Sequence, residues 1–152
     1  CDWSSDVCSS DLTPNAVGLH EMNITGRIGL EGSVAPFGGY ASWIVDPDIH
    51  AVITTGGTGL TDRDSTPEAL LPLFDRVIEG FGELFRQLSY SEVGSSTVQS
   101  RCCAGFANRT LIFCLPGSPN ACKTGWSGIL AEQLDSRHRP CNFVGQTGAG
   151  AE

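Results

Sequence analysis

Positive charge is scarce in this chain: nine Lys and Arg stand against 17 Asp and Glu over 152 residues, for a formal charge of −8 at pH 7. Nucleic acids and anionic membranes are held by a basic face, so neither is an expected partner. Any phosphate has to be bound by local backbone geometry instead. No apolar run approaches the roughly 20 residues of a membrane span, and no charged segment leads into an apolar core as in a signal peptide. A cytoplasmic location is the resulting expectation. The seven cysteines are an odd set, and Cys102-Cys103, Cys114, Cys122 and Cys141 lack the paired C-x-x-C spacing of a zinc site. They read as reduced core or surface thiols. With 40% hydrophobic and 17% charged residues, the chain has the size of one domain around one substantial core.

The opening residues follow no folding pattern. Cys1 to Leu12 repeat Ser-Ser-Asp after five residues and read as a non-native lead at 1–12, with a natural Ser/Asp-rich lead as the alternative. The segment 13–40 carries Gly18, Gly26, Gly29, Gly32, Gly38 and Gly39 together with Pro36, which weaken any helix. An α/β domain places its first strand and helix in such a region, so both are expected to be missing or disrupted.

An ordered domain is expected over residues 41–143, with 144–152 as a flexible tail. Ala51-Val52-Ile53-Thr54-Thr55 is short, β-branched and closed by Gly56-Gly57, the pattern of a buried parallel strand. Its C-terminal edge is the first place to look for a ligand. Ser65-Thr66-Pro67-Glu68 has the spacing of a capping box with Pro in the first turn, followed by Leu70, Leu71, Phe74 and Val77 or Ile78 on one helical face, kinked at Pro72. Phe81, Leu84, Phe85 and Leu88 fall at helical offsets and predict a second helix. Leu111-Ile112-Phe113-Cys114-Leu115 predicts another strand, ended by Pro116-Gly117. Ser118 caps a final helix with Pro119 in its first turn and Cys122, Trp126, Ile129 or Leu130, and Leu134 along its buried stripe. Repeated strand-loop-helix units predict an α/β fold: a three-layer, open, mostly parallel sheet with helices on both faces.

Two loops carry the chemistry. In Thr55-Gly56-Gly57-Thr58-Gly59 the missing side chains let backbone N–H groups approach an anionic or planar ligand. No Lys follows at the Walker-A position, so the loop alone is equally a structural turn. Leu60-Thr61-Asp62-Arg63-Asp64 then adds two carboxylates, a guanidinium and a hydroxyl at the same strand end. Carboxylate together with phosphate is a usual setting for magnesium.

Thr55 to Gly59, Arg63-Asp64, Thr66-Pro67-Glu68, Gly80-Phe81-Gly82-Glu83, Ser100-Arg101 and Leu115-Pro116-Gly117-Ser118 together resemble the MoaB/Mog family of molybdenum-cofactor biosynthesis proteins in order and spacing. Gln99-Ser100-Arg101 and Arg139-Pro140-Cys141-Asn142-Phe143 look most like its MoaB branch. The likeness covers about two thirds of the chain and departs from the family at 13–40, where the family's Ser-Asp loop and first acidic residue are not found and only Glu31 falls at a matching acidic position. The resemblance implies molybdopterin as ligand, adenylyl transfer to it from ATP with Mg2+, and a homotrimer or hexamer. It also implies that Gly56, Gly57, Thr58 and Gly59 line the ligand site and that Asp64 serves magnesium and phosphoryl chemistry. Ser100, Pro116, Gly117 and Ser118 would contact the pterin or its phosphate.

Each of these residues has a plainer reading. Asp64 can complement the dipole of the following helix, Ser118 can be a cap alone, and Arg63 a surface ion-pair partner. Arg101 can tie down a turn as readily as bind phosphate. His20, His50 and His138 read as surface histidines, Trp126 as core, and Cys102 and Cys103 as non-nucleophilic. The competing functions are a catalytically silent binding or assembly subunit and the inactive product of a damaged reading frame.

Overall fold

The computed structural model describes residues 27–32 and 42–147, and the expected lead and most of the 13–40 segment lie outside the described residues. Five strands form one mixed sheet in the order β1-β2-β5-β4-β3: β1 is Arg27–Gly32, β2 Ile49–Thr55, β3 Arg76–Val77, β4 Cys103–Ala107 and β5 Thr110–Leu115. β1 and β5 flank β2 in parallel, whereas β4 and β3 continue the sheet antiparallel.

The two strands read from apolar runs form the centre, and alternation sorts their side chains. Ala51, Ile53, Leu111, Phe113 and Leu115 enter one core with Phe81, Phe85, Ile129, Leu130 and Leu134. Val52, Ile112 and Cys114 enter a second core with Leu70, against which Trp43, Ile44, Leu73 and Phe74 pack. The expected three layers are therefore present. Helix α2 (Glu79–Val93) and helix α3 (Pro119–Gly125) cover the first face. Helix α1 (Thr66–Leu70) and a single turn at 42–45 cover the second.

Several elements differ from their sequence-based expectation. Strand β1 stands within the glycine-rich segment, in register with β2 from Ile28 opposite Ala51 to Gly32 opposite Thr55. Glycine lowers strand propensity, but ladder bonds use only the backbone, so the strand still forms at the sheet edge. Helix α1 ends at Leu70 and gives way to a 3-10 turn over Leu71–Leu73. Pro72 has no N–H to continue the helix, and the backbone N–H groups of Asp75 and Ile78 instead reach Phe106 and Ala104 of β4 at 2.8 Å. Val77 is thus on a strand. In α2 the buried stripe is Phe81, Gly82, Phe85 and Ser89, while Leu84 is 40% exposed. Gly82 has no room for a side chain, because a β-carbon there would stand 2.9 Å from the Cys102 carbonyl just before β4.

The final helix follows its expected stripe, with Cys122, Ile129, Leu130 and Leu134 buried and Trp126 packed beside them. Steps of four residues overshoot one helical turn by about 40° each. A π turn over Trp126–Leu130, before the last helical piece α4 (Ala131–Gln133), takes up more residues per turn and absorbs that drift. Packing also continues past Phe143, with Val144 and Thr147 buried where a flexible tail was expected. His138 lies 3.7 Å from the Glu132 carboxylate, a partner not visible in sequence. Among the described residues, no helix is long and apolar enough to cross a membrane.

Candidate functional site

The sheet topology explains why loops far apart in sequence meet. β2 and β5 are parallel neighbours, so the segments after Thr55 and after Leu115 leave the sheet at the same edge. β4 runs the other way, which puts its first residues, and Ser100-Arg101 before them, at that edge too. The expected residues Gly56 to Gly59, Asp64, Ser100 and Pro116 to Ser118 thus come to one end of the sheet. Glu31 of β1 is in register with Thr54, one residue short of the edge.

The first loop begins with two residues in conformations that favour glycine. Gly56 has φ 96° and Gly57 φ 66°, where a side chain would crowd the backbone. The Gly56 N–H donates to the Leu115 carbonyl at 2.9 Å, extending the β2–β5 ladder by one bond. A β-carbon on Gly117 would lie 3.1 Å from the Gly56 α-carbon. The two loops therefore touch backbone to backbone, with no side chain between them.

Thr66 fastens the loop to α1. Its N–H donates to Gly57 at 3.1 Å and its hydroxyl to Gly56 at 3.0 Å. Ser65 makes no side-chain cap bond, so the expected capping box is not formed. Its backbone carbonyl accepts from Ala69 at 3.0 Å. A β-carbon on Gly57 would collide with the Thr66 hydroxyl. Gly57→Ala is accordingly expected to destabilise the fold by about 2–3 kcal/mol, from the left-handed backbone and the lost hydrogen bond together. An unchanged urea midpoint for that variant would contradict this account of the loop.

Asp64 is half-buried and closes a tight turn. Its Oδ2 accepts from the Thr61 N–H at 2.9 Å and from the Thr61 hydroxyl at 2.6 Å. Those bonds, side chain first, hold its carboxyl below the ordinary aspartate range, with smaller help from Gly59 and Arg101. The group therefore stays ionised at neutral and mildly acidic pH. Gly59 is needed beside it, because a β-carbon there would stand 2.7 Å from Oδ2.

Arg101 ties the loop from the other side. Its Nε donates to the Gly59 carbonyl at 2.7 Å and a terminal nitrogen to the Asp64 carbonyl at 2.6 Å, while the other terminal nitrogen pairs with the Glu68 carboxylate. Its own N–H donates to Thr58 at 3.2 Å. Of the two readings open from sequence, the turn-fastening one is realised. Glu68 and Thr66 lie in α1, where the sequence signalled a helix start and a stretch of the family motif but not these contacts to the loop.

The remaining candidates divide by exposure. Thr58 is only 3% exposed, so it supports the loop instead of lining its open side. Ser118 is exposed and caps α3, its hydroxyl accepting from the Ala121 N–H at 3.2 Å. Ser100 is half-buried; its carbonyl accepts from Arg86 at 3.4 Å. Among the described residues, no group of three or more His, Cys, Asp or Glu side chains could hold a metal ion. A magnesium held by one carboxylate, with phosphate oxygens and water filling its shell, needs no such cage. The ionised Asp64 at the sheet edge fits that pattern.

Comparison with known proteins places this geometry among relatives. The family model described as "Probable molybdopterin binding domain" matches residues 44–136. Molybdenum cofactor biosynthesis protein B of Escherichia coli (strain K12) is 62% identical over 103 residues, which are 68% of this chain and 61% of that protein. The chain thus spans about three fifths of that relative's length. A crystal structure titled molybdenum cofactor biosynthesis protein B aligns with a TM-score of 0.61 at 39% identity, over 64% of this chain and 62% of that one. The tungsten cofactor synthesizing protein MoaB from Pyrococcus furiosus aligns with a TM-score of 0.52 at 48% identity, over 56% and 55% of the two chains.

Proposed function

Because the chain belongs to the MoaB/Mog family of molybdopterin-binding domains, we propose that it binds molybdopterin at the shared edge of β2 and β5 and transfers AMP to it from ATP. The observation that carries this reading is the contact of Gly117 with Gly56. It joins a loop bearing a fixed carboxylate to a loop opening a capped helix, and it leaves bare backbone between them.

The roles follow from what each residue has available. Gly56, Gly57 and Gly59 offer a flat peptide surface to a planar pterin or a phosphate, and Pro116, Gly117 and Ser118 form the opposing wall. Ser100 stands at the start of the neighbouring strand. Asp64 supplies a carboxylate held ionised by Thr61, suited to a phosphate-bound magnesium. That ion would neutralise charge on the transferring phosphoryl group. Nucleotidyl transfer depends on positioning and electrostatics more than on covalent help from the protein, and a loop fastened at Thr58, Gly59 and Asp64 meets that need. In keeping with the family, the working assembly is a homotrimer or hexamer in the cytoplasm.

Incubating the purified chain with ATP, Mg2+ and molybdopterin, and following adenylylated pterin and pyrophosphate, tests the proposal. Turnover dependent on both substrates is the expected result. Saturable pterin binding without turnover would establish the silent binding subunit in its place.

A further inference from the structure

Beneath the same sheet edge, β4 and β5 bring two thiols face to face. Cys103 stands directly opposite Cys114 in the antiparallel register. The strands are joined by a two-residue turn, Asn108-Arg109, with φ 48° and 70°, and such a turn is closed by a hydrogen-bonded pair, here Ala107 with Thr110. Hydrogen-bonded and open pairs alternate along the ladder, so Cys103 and Cys114 are again a hydrogen-bonded pair. The carbonyls of Ala104 and Phe106 point the other way, towards β3, as this phase requires. α-Carbons in such a pair are about 5.5 Å apart, inside the range that a disulfide spans. The β-carbons of a hydrogen-bonded pair stand at about 5.5 Å against the roughly 3.5–4.5 Å of a disulfide, so closure has to draw the two strands together at this rung.

We propose that Cys103 and Cys114 are a reversible oxidation site, a dithiol that reacts with a hydroperoxide and closes to a disulfide across β4 and β5. The two thiols are unequal. Cys103 is half-buried, whereas Cys114 is fully buried. The Cys114 thiol hydrogen-bonds to Cys103 and lowers its pKa, while the same bond raises that of Cys114. Cys103 is therefore the attacking sulfur and Cys114 the resolving one. Cys102 is no competitor, because strand alternation turns it into the opposite core.

The chemistry balances. The Cys103 thiolate attacks one oxygen of hydrogen peroxide, the O–O bond breaks, and hydroxide leaves and is protonated to water, which yields a sulfenic acid. Cys114 then attacks that sulfur; the S–S bond forms as the S–O bond breaks, and a second water departs with the Cys114 proton. Two thiols lose two electrons and one peroxide becomes two waters.

The whole chain treated with hydrogen peroxide, alkylated, digested with trypsin without reductant and fragmented in a mass spectrometer gives the answer. Peptide 102–109 joined to peptide 110–123 through Cys103 and Cys114, and separated by dithiothreitol, is the expected product. The joint should persist when both Cys102→Ser and Cys122→Ser are present and vanish in Cys103→Ser. Cys103 overoxidised to sulfinic acid while Cys114 alkylates freely after denaturation would overturn the proposal. A bond that survives Cys103→Ser would do the same.

Discussion

Asp64→Asn is expected to lower the proposed adenylyl transfer by about two decades, on the order of 3 kcal/mol of lost charge stabilisation at the phosphoryl centre. The substitution keeps the size of the side chain and leaves an oxygen to accept the Thr61 bonds, so the turn itself should survive. Melting then shifts by less than about 1 kcal/mol, the scale of a helix-dipole or exposed-charge contribution. The pH dependence has a fixed sign. Folding depresses the Asp64 pKa, so its contribution is fully present above the ordinary value of 3.8 and is lost as pH falls through the lower folded value. The stability gap between wild type and variant should accordingly close in acid and be constant at neutral pH. A variant that melts lower but turns over at the wild-type rate would reduce Asp64 to a turn-closing residue.

Arg101→Ala is expected to loosen the loop from its other side, nearly as much as Gly57→Ala does from within. The side chain donates to two backbone carbonyls from a partly shielded position, and its loss leaves both without their charged donor. The cost is about 2 kcal/mol, or a fall in Tm of roughly 4–8 °C for a domain of this size. Arg101→Lys keeps the charge but not the fork that reaches Gly59 and Asp64 together, so it should restore less than half of the loss. The exposed Arg63 gives a local readout. Trypsin should cut after it more than ten times faster in both variants, because the segment from Gly59 to Asp64 opens more often. Cleavage at the wild-type rate would show that Thr66 and Thr61 hold the loop without Arg101.

The features legible in sequence were those written in contiguous residues. β2 and β5 are uninterrupted β-branched and apolar runs, buried on both faces, and α3 announces itself by Ser118-Pro119 and a four-residue stripe. The loops after those strands were legible for the same reason, as glycine and Pro-Gly follow directly. β4 escaped because Cys-Ala-Gly-Phe-Ala looks like a broken strand. Gly105 is there to make room for the Phe74 ring, which a β-carbon would overlap, and nothing local signals a ring arriving from the other side of α2. Leu84 was misplaced on similar grounds, since periodicity could not show that Gly82 sits on the buried face, close against the Cys102 carbonyl. The role of Arg101 was equally hidden, because its acceptors lie 42 and 37 residues upstream. A spacing of this kind is set by sheet order, and no motif encodes it.

That spacing also orders events during synthesis. A ribosome adding about 5–20 residues per second needs roughly 2–8 s to travel the 42 residues between Gly59 and Arg101. For that interval the nascent glycine loop has Thr66 at hand but neither Arg101 nor the neighbouring strand β5, whose Leu115 carbonyl receives the Gly56 N–H. The completion of the loop therefore waits on the second half being made.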